Sequence, residues 1–321
     1  MGRFGLEDWK AVAARRAWPA LLLGNGASIA VSDAFQYSSL FTVAPLTIDD
    51  CELFDALETT NFEEVLNYLD TAELICDQLR HASADVRSRH KSIRAALIQT
   101  VDQHHVDWPQ TNAGDRLERI RDALGQHNAV FSTNYDLIVY WAIMDQGGGA
   151  DFGDLFWNSA HTFDPLDTEA WNNKTVVYWL HGGLHLYRNR WGETTKRTND
   201  GVNLLEAFAR AKEPALFVSE GTWKRKRRAI RRSDYLEHCY VTLSENDDNV
   251  LVFGHSLAPQ DRHLIKALRR VPRRHMAYSI YPDTQRQVNL ERARIEEIFP
   301  NFRIRFFDST THPLGDPALR V

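Results

Sequence analysis

Four short apolar runs in this chain each stop abruptly at a polar motif. Ala20-Leu21-Leu22-Leu23 runs into Gly24-Asn25-Gly26-Ala27-Ser28, and Ala129-Val130-Phe131 into Ser132-Thr133-Asn134-Tyr135-Asp136. Val176-Val177-Tyr178-Trp179-Leu180 stops at His181-Gly182-Gly183, and Val250-Leu251-Val252-Phe253 at Gly254-His255-Ser256. Runs this short and this uniformly apolar suit strands buried on both faces, as in a parallel sheet covered by helices. The end of the chain alternates regularly: strand 250–253, helix 260–270, strand 276–281, helix 284–298, strand 302–307. This pattern predicts an α/β fold, Rossmann-like and doubly wound, with a mainly parallel sheet. In such a sheet the carboxyl ends of the strands share one edge, where four motifs would face one crevice.

The 321 residues read as a single domain over 1–321 with two insertions. Residues 49–127 carry helical spacing throughout: Phe54, Leu57, Val65, Leu66, Tyr68 and Leu69, then Ile93, Ala96, Leu97 and Val101, then Leu117, Ile120 and Leu124. That exceeds one crossover helix and predicts an inserted helical subdomain, with Asn61 capping the helix that begins at Phe62. Residues 184–245 read as the second insertion. It comprises an arm (Leu184 to Trp191), a polar loop (Gly192 to Gly201), a helix (Val202 to Lys212), a strand (Ala215 to Ser219) and a long basic helix (Trp223 to Leu243). A short amphipathic helix is expected from Leu6 to Arg16. Another is expected from Tyr135 to Met144, ended by Gly147-Gly148-Gly149.

Charge is unevenly spread. No Lys or Arg occurs between Arg16 and Arg80, while acids crowd 49–77, and Lys224 to Arg232 is strongly basic. These runs read as solvated helix faces; the alternative is complementary patches that pair within the fold or between subunits. With a net charge of −5, nucleic acid is not an expected partner. Cys51, Cys76 and Cys239 are far apart and form no CxxC pair, so no zinc ribbon is expected and free thiols in a reducing cytoplasm are. No apolar run reaches membrane-spanning length, and the stretch from Trp18 to Leu23 is too short for a secretory signal. A cytoplasmic protein with no membrane partner is the expectation.

Each motif has a chemical reading and a plain one. Gly24 and Gly26 permit a tight turn and close backbone approach to a diphosphate at a helix N-terminus, with Ser28 as a further donor. The third glycine of the dinucleotide fingerprint is replaced by Ile29, and the plain reading is an ordinary strand-to-helix turn. Asn134 and Asp136 can hold a ribose hydroxyl or a water, or simply cap the next helix. His181 has the chemistry of a general base near neutral pH, with Gly182 and Gly183 leaving room around its ring; the plain reading is a structural histidine bonded to a carbonyl. Gly254-His255-Ser256 offers a second close backbone approach and a hydroxyl. Gln260, Asp261, Arg262 and His263 open the next helix, where Asp261 or Arg262 caps or solvates it.

In this order the motifs resemble those of the sirtuin-like superfamily, whose Gly-Ala-Gly-x-Ser, Thr-Gln-Asn-x-Asp, His-Gly and Gly-Thr-Ser loops surround NAD. The matching residues are Gly24, Gly26 and Ser28, then Asn134 and Asp136, then His181 and Gly182, then Gly254 and Ser256, with Phe35 standing for the aromatic residue after the first loop. The resemblance covers about residues 18 to 308. Asn25, Thr133 and His255 depart from the family pattern, Tyr281-Pro282-Asp283 lacks its adenosine-side Asn, and the cysteine-bound zinc module of protein deacylases is missing. The chain is therefore more similar to the bacterial sirtuin-like proteins of anti-phage defence that deplete NAD, including the Thoeris effector.

That resemblance implies NAD as substrate and no metal. Gly24, Asn25, Gly26, Ala27, Ser28, Phe35, Thr133, Gly254, His255 and Ser256 would bind NAD. Asn134 would hold the nicotinamide ribose and the attacking water, His181 would be the base, and Asp136 would fix the local network. The implied activity is hydrolysis of the nicotinamide–ribose bond. Two alternatives stay open: an NAD-dependent deacylase or ADP-ribosyltransferase, and a non-catalytic nucleotide sensor. An NADase must be restrained in its host, so a homo-oligomer or a regulatory protein partner acting through the helical insertion is expected.

Overall fold

The computed structural model describes residues 2–103, 105–106, 111, 113–145, 151–167, 174–197, 215–218, 221–271 and 274–321. The described strands, in chain order, are β1 (Ala20–Leu23), β2 (Ala129–Ser132), β3 (Phe152–Gly153), β4 (Thr175–Trp179), β5 (Gly182–Arg188), β6 (Thr194–Lys196), β7 (Ala215–Phe217), β8 (Val250–Phe253), β9 (His275–Ile280) and β10 (Arg303–Asp308). Seven of them form one sheet in the order β10-β9-β8-β1-β2-β4-β3, with every pairing parallel. All residues of β1, β4 and β8 are buried, which is why their sequences lack any in–out alternation. β5, β6 and β7 form a separate antiparallel sheet, the arm expected after His181.

The described helices are α1 (Trp9–Ala13), α2 (Gly26–Val31), α3 (Tyr37–Val43), α4 (Ile48–Ala56), α5 (Phe62–Gln78), α6 (Ala84–Gln103), α7 (Arg116–Leu124), α8 (Ile138–Met144), α9 (Trp223–Ile230), α10 (Asp234–Glu245), α11 (Arg262–Leu268) and α12 (Gln285–Ile298). Six of these, α2 to α7, lie between β1 and β2. Asn61 caps α5, accepting from the Glu63 and Glu64 N–H groups at 3.0 and 3.3 Å. The buried faces of α4 to α6, including Phe54, Phe62, Leu66, Ile93 and Leu97, join the same hydrophobic cluster as the sheet.

From β1 the chain builds outward through β2 to β4 on one side, then returns across β1 to lay down β8, β9 and β10 on the other. The strand order therefore reverses between β1 and β8, and the crevice beyond their carboxyl ends is where α/β sheets bind ligands. Leu23 pairs with Phe253, so Gly24 and Gly254 leave the sheet side by side.

Several elements differ from the sequence expectation for local reasons. The long basic helix is two helices, because Ser233 caps α10 by accepting from the Leu236 N–H at 3.3 Å. The helix expected from Tyr135 starts at Ile138, whose N–H donates to Asp136 Oδ1 at 2.9 Å in an Asx turn. The helix expected over Leu6 to Arg16 shrinks to α1. Asp8 caps it, and Glu7 sits beside Phe307 in a parallel bridge. The short edge strand β3 has no signal in the sequence. The helix expected at 202–212, the glycines 147–149 and residues 198–201 and 219 lie outside the described residues. Among the described residues no helix is long and apolar enough to cross a membrane, and the three cysteines are free.

Candidate functional site

The first and fourth motifs form a glycine seam. The Gly24 N–H donates to the Phe253 carbonyl at 2.9 Å, and the Gly26 N–H to the Gly254 carbonyl at 2.8 Å. A Cβ on Gly24 would lie 2.6 Å from the Gly254 oxygen, and one on Gly26 would lie 2.7 Å from Gly254 Cα. Gly254 has φ +64° and faces the Ala27 nitrogen. These glycines thus let two loops touch, and the N–H groups of Gly24 and Gly26 are spent on that seam. Asn25 ties the seam to the next turn by donating to the Phe35 carbonyl at 2.9 Å. The Phe35 ring is buried and meets His105 edge-on at 5.2 Å.

Beside the seam lies a cavity of about 800 Å³, lined by Gly26, Gly254, His255 and Ser256 and walled by the ends of β9 and β10 and by α12. Arg294 on α12 organises one wall. It donates to the carbonyls of Ser256 and, at 3.1 Å, Leu257, and pairs with Glu291. The Tyr278 hydroxyl lies 2.6 Å from Glu291 Oε1 and 2.9 Å from the His255 carbonyl. His255 Nδ1 accepts from the Leu257 N–H at 2.9 Å, so its neutral ring carries the proton on Nε2.

The second and third motifs do not line this cavity. Ser28 Oγ donates to Asp136 Oδ2 at 2.5 Å and accepts from Asn134 Nδ2 at 2.8 Å. Asp136 therefore both caps α8 and holds Ser28. Asn134 Oδ1 is buried without a partner, which is costly unless something else supplies a donor. Thr133 closes β2 on β1 through its hydroxyl and N–H, both donating to the Leu23 carbonyl.

His181 is buried, with Nε2 2.9 Å from His263 Nε2. The space beside Gly182 is filled: a Cβ there would lie 2.0 Å from the Leu216 carbonyl, so this glycine, at φ +79°, serves contact with β7. Burial, then the charge of Lys226, pushes the His181 pKa well below the usual imidazole value. Burial likewise brings His263 to about 3. Both rings are neutral, and one of the two Nε2 atoms donates its hydrogen to the other.

Around this pair the structure assembles residues the motifs did not point to. Lys226 of α9 is fully buried, with Nζ 2.9 Å from Asp261 Oδ1 and 3.2 Å from Glu63 Oε2. Glu63 in turn is hydrogen-bonded to the Tyr37 hydroxyl. Burial alone would raise the Asp261 pKa, but Lys226 and the surrounding histidines outweigh it and hold the carboxyl below its usual range. Burial opposes the charge on Lys226, and Asp261 and Glu63 more than restore it. Asp261 is the hub, with His255 Nε2 3.9 Å from its Oδ2. The only sequence signal for Lys226 is its helical spacing from Ile230, both buried on one face of α9. Asp261 and His263 follow the fourth motif closely, but their orientation depends on how α11 packs.

The basic run is only partly a free surface: Lys224, Arg228, Arg231 and Arg232 are exposed, but Arg225, Lys226 and Arg227 are paired. Arg225 pairs with Asp70 at 2.6 Å and with Glu73, and the Thr222 N–H donates to Asp70. The acidic face of α5 and the basic helix α9 are complementary patches that pair within the fold, where two solvated faces were expected.

No curated protein matches this sequence. Residues 21–314, from β1 past the end of β10, match the family described as Domain of unknown function (DUF4917). That match spans both expected insertions as well as the sheet, and the chain belongs to this family.

Proposed function

We propose that the chain binds NAD in the cavity beside the glycine seam and hydrolyses its nicotinamide–ribose bond. The observation that carries the reading is a cavity of about 800 Å³ at the strand-order reversal between β1 and β8. It is within the range of small-molecule sites and in the place where α/β sheets bind nucleotides. The seam residues Gly26, Gly254 and Ser256 would face the nucleotide. Off the cavity wall, the unpartnered Asn134 Oδ1 calls for a donor such as a ribose hydroxyl or the attacking water. Water adds to the ribose carbon as nicotinamide leaves with the bonding pair, and the water proton passes to a base. His181 is neutral, so a ring nitrogen can take that proton, although its lowered pKa makes it a weaker base than a free imidazole. Depletion of NAD against phage is the biological setting the resemblance supports.

A second reading, nucleotide binding without turnover, is favoured by one observation: Asn134, Asp136 and His181 are absent from the cavity wall. One experiment separates them. NAD is incubated with the protein, with and without a peptide acceptor, and nicotinamide and ADP-ribose are followed by mass spectrometry. Hydrolysis without acceptor, falling at least ~10²-fold in His181→Ala and Asn134→Ala, supports the first reading. Stoichiometric NAD binding with no product establishes the second, and product only with acceptor points to group transfer.

A further inference from the structure

We infer that His181, His263 and Asp261 form a binding site for a divalent transition-metal ion of the zinc or cobalt type. Their ligand atoms, one nitrogen from each imidazole and one carboxylate oxygen, all lie within 4.8 Å of one another, and all three residues are buried. The two Nε2 atoms face each other at 2.9 Å. Nitrogens about 2.0–2.1 Å from a shared tetrahedral ion stand about 3.3–3.4 Å apart. Opening the pair by roughly half an ångström brings the two nitrogens to that spacing. His181 sits in the two-residue turn between β4 and β5, and Asp261 and His263 at the start of α11, so regular elements fix both sides of the site.

The donor set selects the ion. Two imidazoles and one carboxylate suit zinc-type metals, whereas magnesium and calcium take oxygen ligands. Three protein ligands leave a fourth position open. Asp261 is oriented from behind by Lys226 at 2.9 Å, the kind of outer contact that fixes a ligating carboxylate. Asp261 is held ionised by Lys226 and the surrounding histidines, so the site offers a carboxylate as well as two imidazoles. The inference does not rest on NAD turnover. If both hold, His181 Nε2 cannot ligate an ion and accept a proton together, and added metal inhibits hydrolysis.

The test is binding of the metal alone to full-length protein. Chelator-stripped protein is titrated with Co²⁺ and followed by its visible ligand-field absorption, and Zn²⁺ retained after dialysis is counted by elemental analysis. We expect one equivalent per chain with the intense bands of a four-coordinate ion, and a rise in melting temperature on adding Zn²⁺. His181→Gln with His263→Gln should lose the bands, the retained zinc and the thermal shift, whereas His312→Gln, a buried histidine elsewhere, should keep all three. Wild-type protein that retains less than a tenth of an equivalent overturns the inference without reference to any variant. Stoichiometric binding that survives the double substitution overturns it equally.

Discussion

Replacing Lys226 with Met removes one charge from the site and little volume, since the apolar stem is kept. The side chain is fully buried, and its ammonium sits between Asp261 and Glu63 at 2.9 and 3.2 Å. Two carboxylates are then left facing each other with no counter-charge. Breaking a buried pair of this kind costs about 3–5 kcal/mol. At about 2.1 cal/mol/K per residue, 321 residues give an unfolding entropy of about 0.7 kcal/mol/K, so the melting temperature should fall by about 4–7 °C. Calorimetry or urea unfolding reads this directly. Lys224→Met, on the same helix but exposed, should stay within about 0.5 kcal/mol of wild type. Adding Glu63→Gln to Lys226→Met should recover part of the loss, with a coupling of at least about 1 kcal/mol. Without Lys226 the folded-state pKa of the buried carboxylates rises above the unfolded value. The deficit should therefore be small at pH 4 and grow toward neutrality. A Lys226→Met loss below about 1 kcal/mol, or an equal loss in Lys224→Met, would refute the buried-bridge account.

Burial, then the charge of His127, lowers the pKa of His312 to about 3. The unfolded chain thus binds a proton below pH 6.5 that the folded chain does not, and stability is lost as pH falls through that range. At pH 5 the loss from this residue is about 2 kcal/mol, and His312→Gln should flatten the difference between urea midpoints at pH 7 and pH 5. Protonation would also break the bond from the Leu314 N–H to His312 Nδ1, 3.0 Å long. Gly254→Ala forces a Cβ to 2.7 Å from the Ala27 nitrogen at φ +64°. It should lower NAD affinity at least ~10-fold by calorimetry if the cavity is the site, a loss of about 1.4 kcal/mol. Gly192→Ala meets nothing within 4 Å at φ +86°, so only its backbone strain should register. Ser28→Ala removes the donor to Asp136 and the acceptor for Asn134 Nδ2, and should cost about 1–3 kcal/mol in urea unfolding.

What was legible in the sequence follows from the range of the interactions involved. β1, β4 and β8 are buried on both faces, so each writes a continuous apolar run, and Asn61 writes a cap within three residues. The reversal of strand order between β1 and β8 leaves no local trace, because it depends on which strands neighbour each other. Lys226 is the sharpest case. Within a run of basic residues it reads as part of a solvated face, and only the packing of α9 against α5 and α11 makes it an interior cation. The glycines were found for one reason and are needed for another: Gly24, Gly26 and Gly254 are explained by contact between their own two loops.

The four motifs therefore divide into two pairs. The cavity touches the first and fourth; off its wall, the second is tied to Ser28 and the third to His263. His255 links the cavity to the buried cluster, lining the cavity while its Nε2 proton points toward Asp261. Its Nδ1 accepts from the Leu257 N–H and its Nε2 carries the proton, so the neutral ring as placed has no free basic nitrogen for the cavity. Behind the ring, Asp261 is held in turn by Lys226 at 2.9 Å. The cavity wall also carries the carboxylates of Asp33, Asp283 and Glu291, so proton acceptors stand at the cavity as well as in the buried His181 pair.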